Sequence, residues 1–162
     1  MEFTLDIAAV RGILVQERAR VRDELRQGGV LRAFAESQPR HDARIAAATD
    51  VATLACRVGC TFCCHFTVDV RPAEVFVILD FVDRSFTPQE RSRTLAAIQA
   101  NAAALAGLDE EQRVTQNIRC PFLDDGRCGI YPVRPQSCRN YHATDVAAVS
   151  YTHLTLPTIY SV

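Results

Sequence analysis

The order of apolar and polar positions divides the chain into helical stretches separated by two regions with no clear period. Between residues 5 and 27, Ile7, Val10, Leu14, Val21 and Leu25 recur on one helical face, while Arg11, Arg18 and Arg22 fall elsewhere on the circumference. Gly28-Gly29 should end that helix. Val30, Leu31 and Phe34 predict a short second helix stopping near Pro39, because the residue before a proline is biased away from helical angles. A third helix is expected over about 42–54, with Ile45, Ala48 and Ala52 inward, and it delivers the chain to Cys56.

Further along, residues 66–70 read as a short β-like run, and Pro72 suits the first position of a helix. Val75, Ile78, Leu79 and Val82 recur at helical spacing, so this helix should pack its apolar face beside the preceding cysteines. Thr87-Pro88-Gln89-Glu90 is a capping box, and Leu95, Ile98, Ala102 and Leu105 continue its helix to Gly107. Asp109, Glu110 and Glu111 suit the positive end of one more short helix. From Cys120 the periodicity lapses. Asp125-Gly126 is a turn signal there, which predicts a small hairpin between Phe122-Leu123 and residues 128–131.

Composition narrows the reading. With 162 residues the chain is long enough for a hydrophobic core without obligatory staples. A net charge of −1 gives no electrostatic case for nucleic acid. All 18 basic residues are arginine, which removes any lysine nucleophile. The first residues, broken by Glu2, Asp6, Arg11 and Glu17, do not read as a signal peptide, and no apolar run is long enough to span a membrane. A cytoplasmic protein is the expectation, in which thiols stay reduced and serve as metal ligands or redox groups rather than in disulfides.

That matters because the chain has seven cysteines. Cys56, Cys60, Cys63 and Cys64 lie within nine residues, and Cys120, Cys128 and Cys138 follow in one later segment. Soft thiolates at such spacing suit zinc or an iron-sulfur cluster. Cys63 and Cys64 are adjacent, and consecutive side chains usually point apart, so one of them is a spare, a ligand of a second metal, or a redox partner. The Cys56-x3-Cys60-x2-Cys63 spacing is also that of radical-SAM enzymes. Their larger barrel scaffold, with a strand before the motif, argues against that reading for a short chain that is helical there.

The full constellation runs Cys-x3-Cys-x2-Cys-Cys, then Glu74, then Cys120-Pro-Phe-Leu through Arg134-Pro135-x-x-Cys138-Arg139-x-Tyr141. Over about residues 40–143 it resembles the YkgJ-family cysteine-cluster proteins, described as zinc- or iron-chelating. The resemblance implies a metal-binding fold and assigns no reaction. A related cysteine domain occurs in flagellin lysine methylases, which are considerably longer, and this chain has no glycine-rich nucleotide-binding motif.

Among other residues, Arg134 and Arg139 either support the Cys138 thiolate or pair with surface carboxylates. Glu74 reads as a helix-surface carboxylate, with hydrogen bonding around the cluster as the alternative. His65 is a candidate ligand more often explained as a packing or surface residue, and His41 and His142 rank below it. Tyr131 and Tyr141 read as packing aromatics, and Asp124 as turn chemistry. The expectation is therefore a mainly α fold. It comprises an N-terminal helical segment (1–38), a cysteine-cluster domain (39–149) that binds zinc or an iron-sulfur cluster with all seven cysteines as candidate ligands, and a foreign-looking tail (150–162). Its role is accessory or redox, with a protein-modifying enzyme component and a metal-free thiol-redox protein as alternatives. The tail, without Ala, Arg, Asp or Glu from Tyr151 on, resembles read-through sequence, and the native chain is expected to continue beyond it with another cysteine.

Overall fold

Asp6 opens the first helix, its carboxylate accepting the Ala9 N–H at 2.9 Å. In the computed structural model, which describes residues 6–56 and 59–150, this helix α1 spans Ile7–Ala46 and is broken at Gly29. Gly29 has φ 74° and ψ −175°, a conformation essentially confined to glycine. The chain reverses there. Arg40 on the second arm (30–46) donates to Glu17 and Glu24 of the first arm (7–28) at 2.7 Å each, and Arg44 also pairs with Glu17. These bonds hold the Glu17 carboxyl below its ordinary pKa, the Arg40 hydrogen bond contributing most. Together the arms form a helical hairpin whose inner seam is partly ionic.

The expected stop near Pro39 does not occur, and no separate helix spans 42–54. The second arm runs through the proline to Ala46, and a 3-10 turn, Val51–Thr53, follows. Proline leaves the carbonyl of residue i−4 without its usual donor. Around that point Ser37 Oγ donates to the Phe34 carbonyl at 2.7 Å and Arg40 to the Glu36 carbonyl at 2.9 Å, so side chains supply donors to the carbonyls on either side of Ala35. Nor do residues 66–70 form a strand. They run as irregular chain.

Helix α2 (Pro72–Ser85) begins at its proline, and α3 (Pro88–Leu105) begins at the Thr87–Glu90 capping box, as the sequence predicts. Another capping box, Asp109 with Gln112, opens α4 (Glu110–Thr115). The hairpin pairs β1 (Leu123–Asp124) with β2 (Arg127–Cys128), Leu123 opposite Cys128. Asp125 at φ 43° and Gly126 at φ 71° both lie in the left-handed region, the signature of a type I′ turn. Gly129 lies in a tight place: a Cβ there would stand 3.3 Å from both the Phe122 carbonyl oxygen and the Phe86 ring, closer than ordinary contact. A 3-10 turn, Tyr131–Val133, then leads to α5 (Gln136–Asn140) and α6 (Val146–Ser150).

The fold is thus mainly α. Its second α1 arm, α2 and the 131–133 turn pack around Ala33, Ile78, Leu123 and Ile130, the buried apolar residues among those described. On α2 the buried line is Glu74 and Ile78, while Val75 and Leu79 are exposed, so the inward face is rotated from the all-apolar one that periodicity predicts. Among the described residues no helix is long and apolar enough to cross a membrane. The 151–162 tail lies outside the described residues.

Candidate metal centre

Two chain segments meet at the cysteines through backbone bonds. The Ala55 N–H donates to the Ala143 carbonyl at 2.7 Å, and the Ala143 N–H donates to Cys56 Sγ at 3.3 Å, which ties the start of the first cluster to the chain beyond α5. Cys63 and Cys64 sit on a 3-10 turn, Phe62–His65, and the Cys64 carbonyl accepts the Cys120 N–H at 2.7 Å. The β-hairpin then returns Cys128 to the same side, and α5 carries Cys138. All seven cysteines are free and half-buried.

Electrostatics show how closely these thiols gather. A hydrogen bond from Cys64 is the main cause that brings the Cys63 thiol down to about 7, and the same bond pushes Cys64 far up. Although consecutive side chains usually diverge, these two thiols reach each other. Burial raises Cys120 and Cys128 and takes Cys138 up to about 12, and the charge of Cys63 adds to all three shifts. Cys120 and Cys128 likewise act on Cys64. Five thiols from two segments therefore share one weakly solvated region in which burial and mutual repulsion oppose more than one thiolate. Cys56 and Cys63 together act on Tyr141, whose ring packs edge-on against Phe66 at 5.4 Å, so Cys56 borders the same region. Cys60 is half-buried ahead of the turn that carries Cys63 and Cys64.

A family model named CxxCxxCC, described as "Putative zinc- or iron-chelating domain", matches residues 55–155, more than half of the chain. The chain belongs to this family, the one typified by YkgJ. No curated protein and no solved structure matches it.

The donor set fits the CxxCxxCC description in its chemistry. Zinc and iron-sulfur clusters are held by thiolates, and a cation would reverse the repulsion that now opposes ionisation of the gathered thiols. As placed, no three Cys, His, Asp or Glu side chains among the described residues stand close enough to grip one ion. The fold gathers the sulfurs without closing them into a coordination sphere.

Around the thiols lies a polar framework that the sequence disclosed only in part. Arg139 has a fully buried side chain, paired with Asp42 of α1, and it donates to the carbonyls of Pro132 and, at 3.0 Å, Arg134. Arg134 also reaches Asp42, at 3.2 Å, and its guanidinium lies 4.0 Å over the Tyr131 ring. Both arginines thus pair with a carboxylate, as one expectation had it, while Arg134 also favours the thiolate forms of Cys63, Cys128 and Cys138. Buried Gln38, one helical turn before Asp42, donates to the Arg134 carbonyl at 3.3 Å. Neither Gln38 nor Asp42 stood out in the sequence, where their i, i+4 spacing on one helical face was the available signal.

Glu74 is not a surface residue: it is buried, with oxygens accepting the Arg71 N–H at 2.6 Å and the Gln136 N–H at 2.7 Å. His65 is half-buried at the end of the Cys63-Cys64 turn. His41 presents a buried Nε2 with no hydrogen-bond partner, and burial holds its pKa down. Asp124 belongs to the hairpin, 3.8 Å from Arg93.

Proposed function

We propose that this chain binds zinc or an iron-sulfur cluster through Cys56, Cys60, Cys63, Cys64, Cys120, Cys128 and Cys138, and acts as an accessory or redox protein through that centre. What carries the reading is the convergence of thiols from two segments at the bond between the Cys120 N–H and the Cys64 carbonyl. A thiolate-bound ion is worth folding free energy to such a segment, because ligands far apart in sequence are joined only when the chain is folded. Reduced thiols are required, so the reading carries a reducing, cytoplasmic setting with it.

The thiol pair Cys63-Cys64 favours one alternative, a thiol-redox protein without metal. Its lowered Cys63 thiol and hydrogen-bonded neighbour are the arrangement of an attacking and a resolving cysteine. Anaerobic purification followed by metal analysis and a visible spectrum separates the two. Iron with sulfide and a broad visible absorption selects a cluster, and a colourless protein with bound zinc selects zinc. A protein that takes up neither, even after reconstitution, and forms a Cys63–Cys64 disulfide on mild oxidation would overturn the metal reading.

A further inference from the structure

Helix capping does not explain Glu74. The α4 cap does the same job with exposed Asp109 and Gln112, and each of its side chains serves the backbone of its own turn. Glu74 instead is 2 % exposed and uses one oxygen for its own cap, the other for the N–H of Gln136, 62 residues away. Burying a carboxylate is costly unless its oxygens are satisfied, and here both are. The second bond leads to the first residue of α5, two positions before Cys138. Ser137 Oγ reaches the Asp69 carbonyl at 3.4 Å, a weaker tie between the same two stretches. On the far side of Cys138, Arg139 is held by Asp42 of α1. The chain from Cys64 to Arg71 is short, so an anchor at the start of α2 also sets where the Cys63-Cys64 turn lies relative to α5.

We propose that Glu74 is a positioning residue of the metal centre: its buried carboxylate locks the start of α2 to the start of α5 and thereby fixes Cys138 against Cys63 and Cys64. The inference rests on the metal reading above. A carboxylate is required because it offers an acceptor on each oxygen, whereas the amide of glutamine would turn an NH2 group toward one of the two donors.

Two substitutions address the two ends of this tie. Glu74→Gln removes one acceptor. Gln136→Pro removes the donor on the Cys138 side, together with an exposed side-chain bond from Gln136 Nε2 to Asn140 that Gln136→Ala removes alone and so controls for; Pro135 already has φ −53° and ψ 153°, which a following proline favours, and the first helical position tolerates proline. Zinc affinity is measured by competition with a chromophoric chelator, and the fold is checked by circular dichroism of the metal-free, reduced protein. The expected result is a loss of zinc affinity of about 10–100-fold in each variant, the usual effect of removing a group that orients a metal ligand, with helical content retained. The double variant should be no weaker than the weaker single one, because both break one interaction. Asp80→Asn, at an exposed ion pair on the same helix, should leave affinity unchanged. Folded variants with wild-type zinc affinity would overturn the proposal and leave the metal reading standing; should Glu74→Gln fail to fold, Gln136→Pro decides, since the α2 cap is intact in it. A wild-type protein that binds no zinc and no iron would instead overturn the metal reading itself, and the positioning role with it.

Discussion

Replacing Asp42 by asparagine tests whether the ionic joint between α1 and the second cysteine segment is as important as its burial implies. The change keeps the shape of the side chain and removes its charge. It leaves the Arg139 guanidinium, whose side chain is 0 % exposed, with two carbonyl acceptors and no carboxylate. Removing one partner of a buried ion pair typically costs about 3–5 kcal/mol. Asp42 is itself 40 % exposed, so water already screens part of the pair, and the low end, about 3 kcal/mol, is the expected loss. For a chain of this length about 2–4 °C of melting temperature follows each kcal/mol, which makes the shift about 6–12 °C. The assay is thermal unfolding followed by far-ultraviolet circular dichroism, with reductant and excess chelator so that no ion contributes. Asp80→Asn breaks a pair exposed on both sides and should cost under about 0.5 kcal/mol. If the two variants melt together, the buried guanidinium is satisfied by its carbonyls alone and the reasoning fails.

Gly29→Ala places a Cβ at φ 74° and ψ −175° and should destabilise the helical hairpin by about 1–3 kcal/mol, read by urea denaturation; an unchanged midpoint would mean the reversal is made elsewhere. Metal affinity should rise with pH. Cys120, Cys128 and Cys138 have raised pKa values and are protonated near neutrality, so each one recruited as thiolate releases a proton, worth about tenfold in affinity per pH unit. Chelator competition across neutral pH checks this, and a flat profile would exclude these thiols as ligands. Stability of the metal-free protein should run the other way: a thiol whose folded pKa is raised stabilises below its unfolded value and loses that contribution as pH rises toward the folded one, so the melting temperature should fall at alkaline pH, from about pH 9 upward. Cys60→Ser should lower both bound metal and melting temperature of the loaded protein; loss of metal with unchanged melting would show the centre to be an appendage.

Local signals carried most of what the sequence disclosed. Pro72 marks a helix start because it has no N–H to leave unsatisfied there, the Thr87–Glu90 box and Asp109 because their side chains satisfy backbone donors within their own turn, and Asp125-Gly126 marks the hairpin because both residues tolerate left-handed angles. Where the reading failed, a distant partner decided. Pro39 stays helical in a second arm that Arg40 ties to Glu17 and Glu24 across the hairpin. Glu74 is buried because Gln136 supplies a second donor, and Val75 lies exposed where periodicity had turned it inward. For the candidate site, spacing pointed to the thiols, but the groups that hold their segments, Asp42, Gln38 and Glu74, are single polar residues without a repeating pattern. Their partners become visible only once the chain is folded.

That division bears on how a metal would act on this fold. The apolar core is small, and the second cysteine segment is joined to the helices mostly by directional bonds: Arg139 to Asp42, Gln136 to Glu74, Gln38 to the Arg134 carbonyl. Such bonds specify position well but net modest stability each, on the order of 1 kcal/mol for the neutral one and about 1.5–3 kcal/mol where a group is charged. A structural zinc site, by contrast, has an apparent binding free energy of about 10–16 kcal/mol. An ion bridging Cys63 or Cys64 to Cys120, Cys128 and Cys138 would therefore outweigh the direct contacts that join the segments. The α1 hairpin draws its order from Arg40, Glu17 and Glu24, none of which touches the thiols, so its helicity should persist in chelator. Residues 120–140 should not be equally protected. Hydrogen exchange with and without metal should show protection gained in that segment and little change across Glu17, Glu24 and Arg40; a uniform gain over both would mean that the ion stabilises one cooperative unit, and the polar joint would then be stronger than its parts.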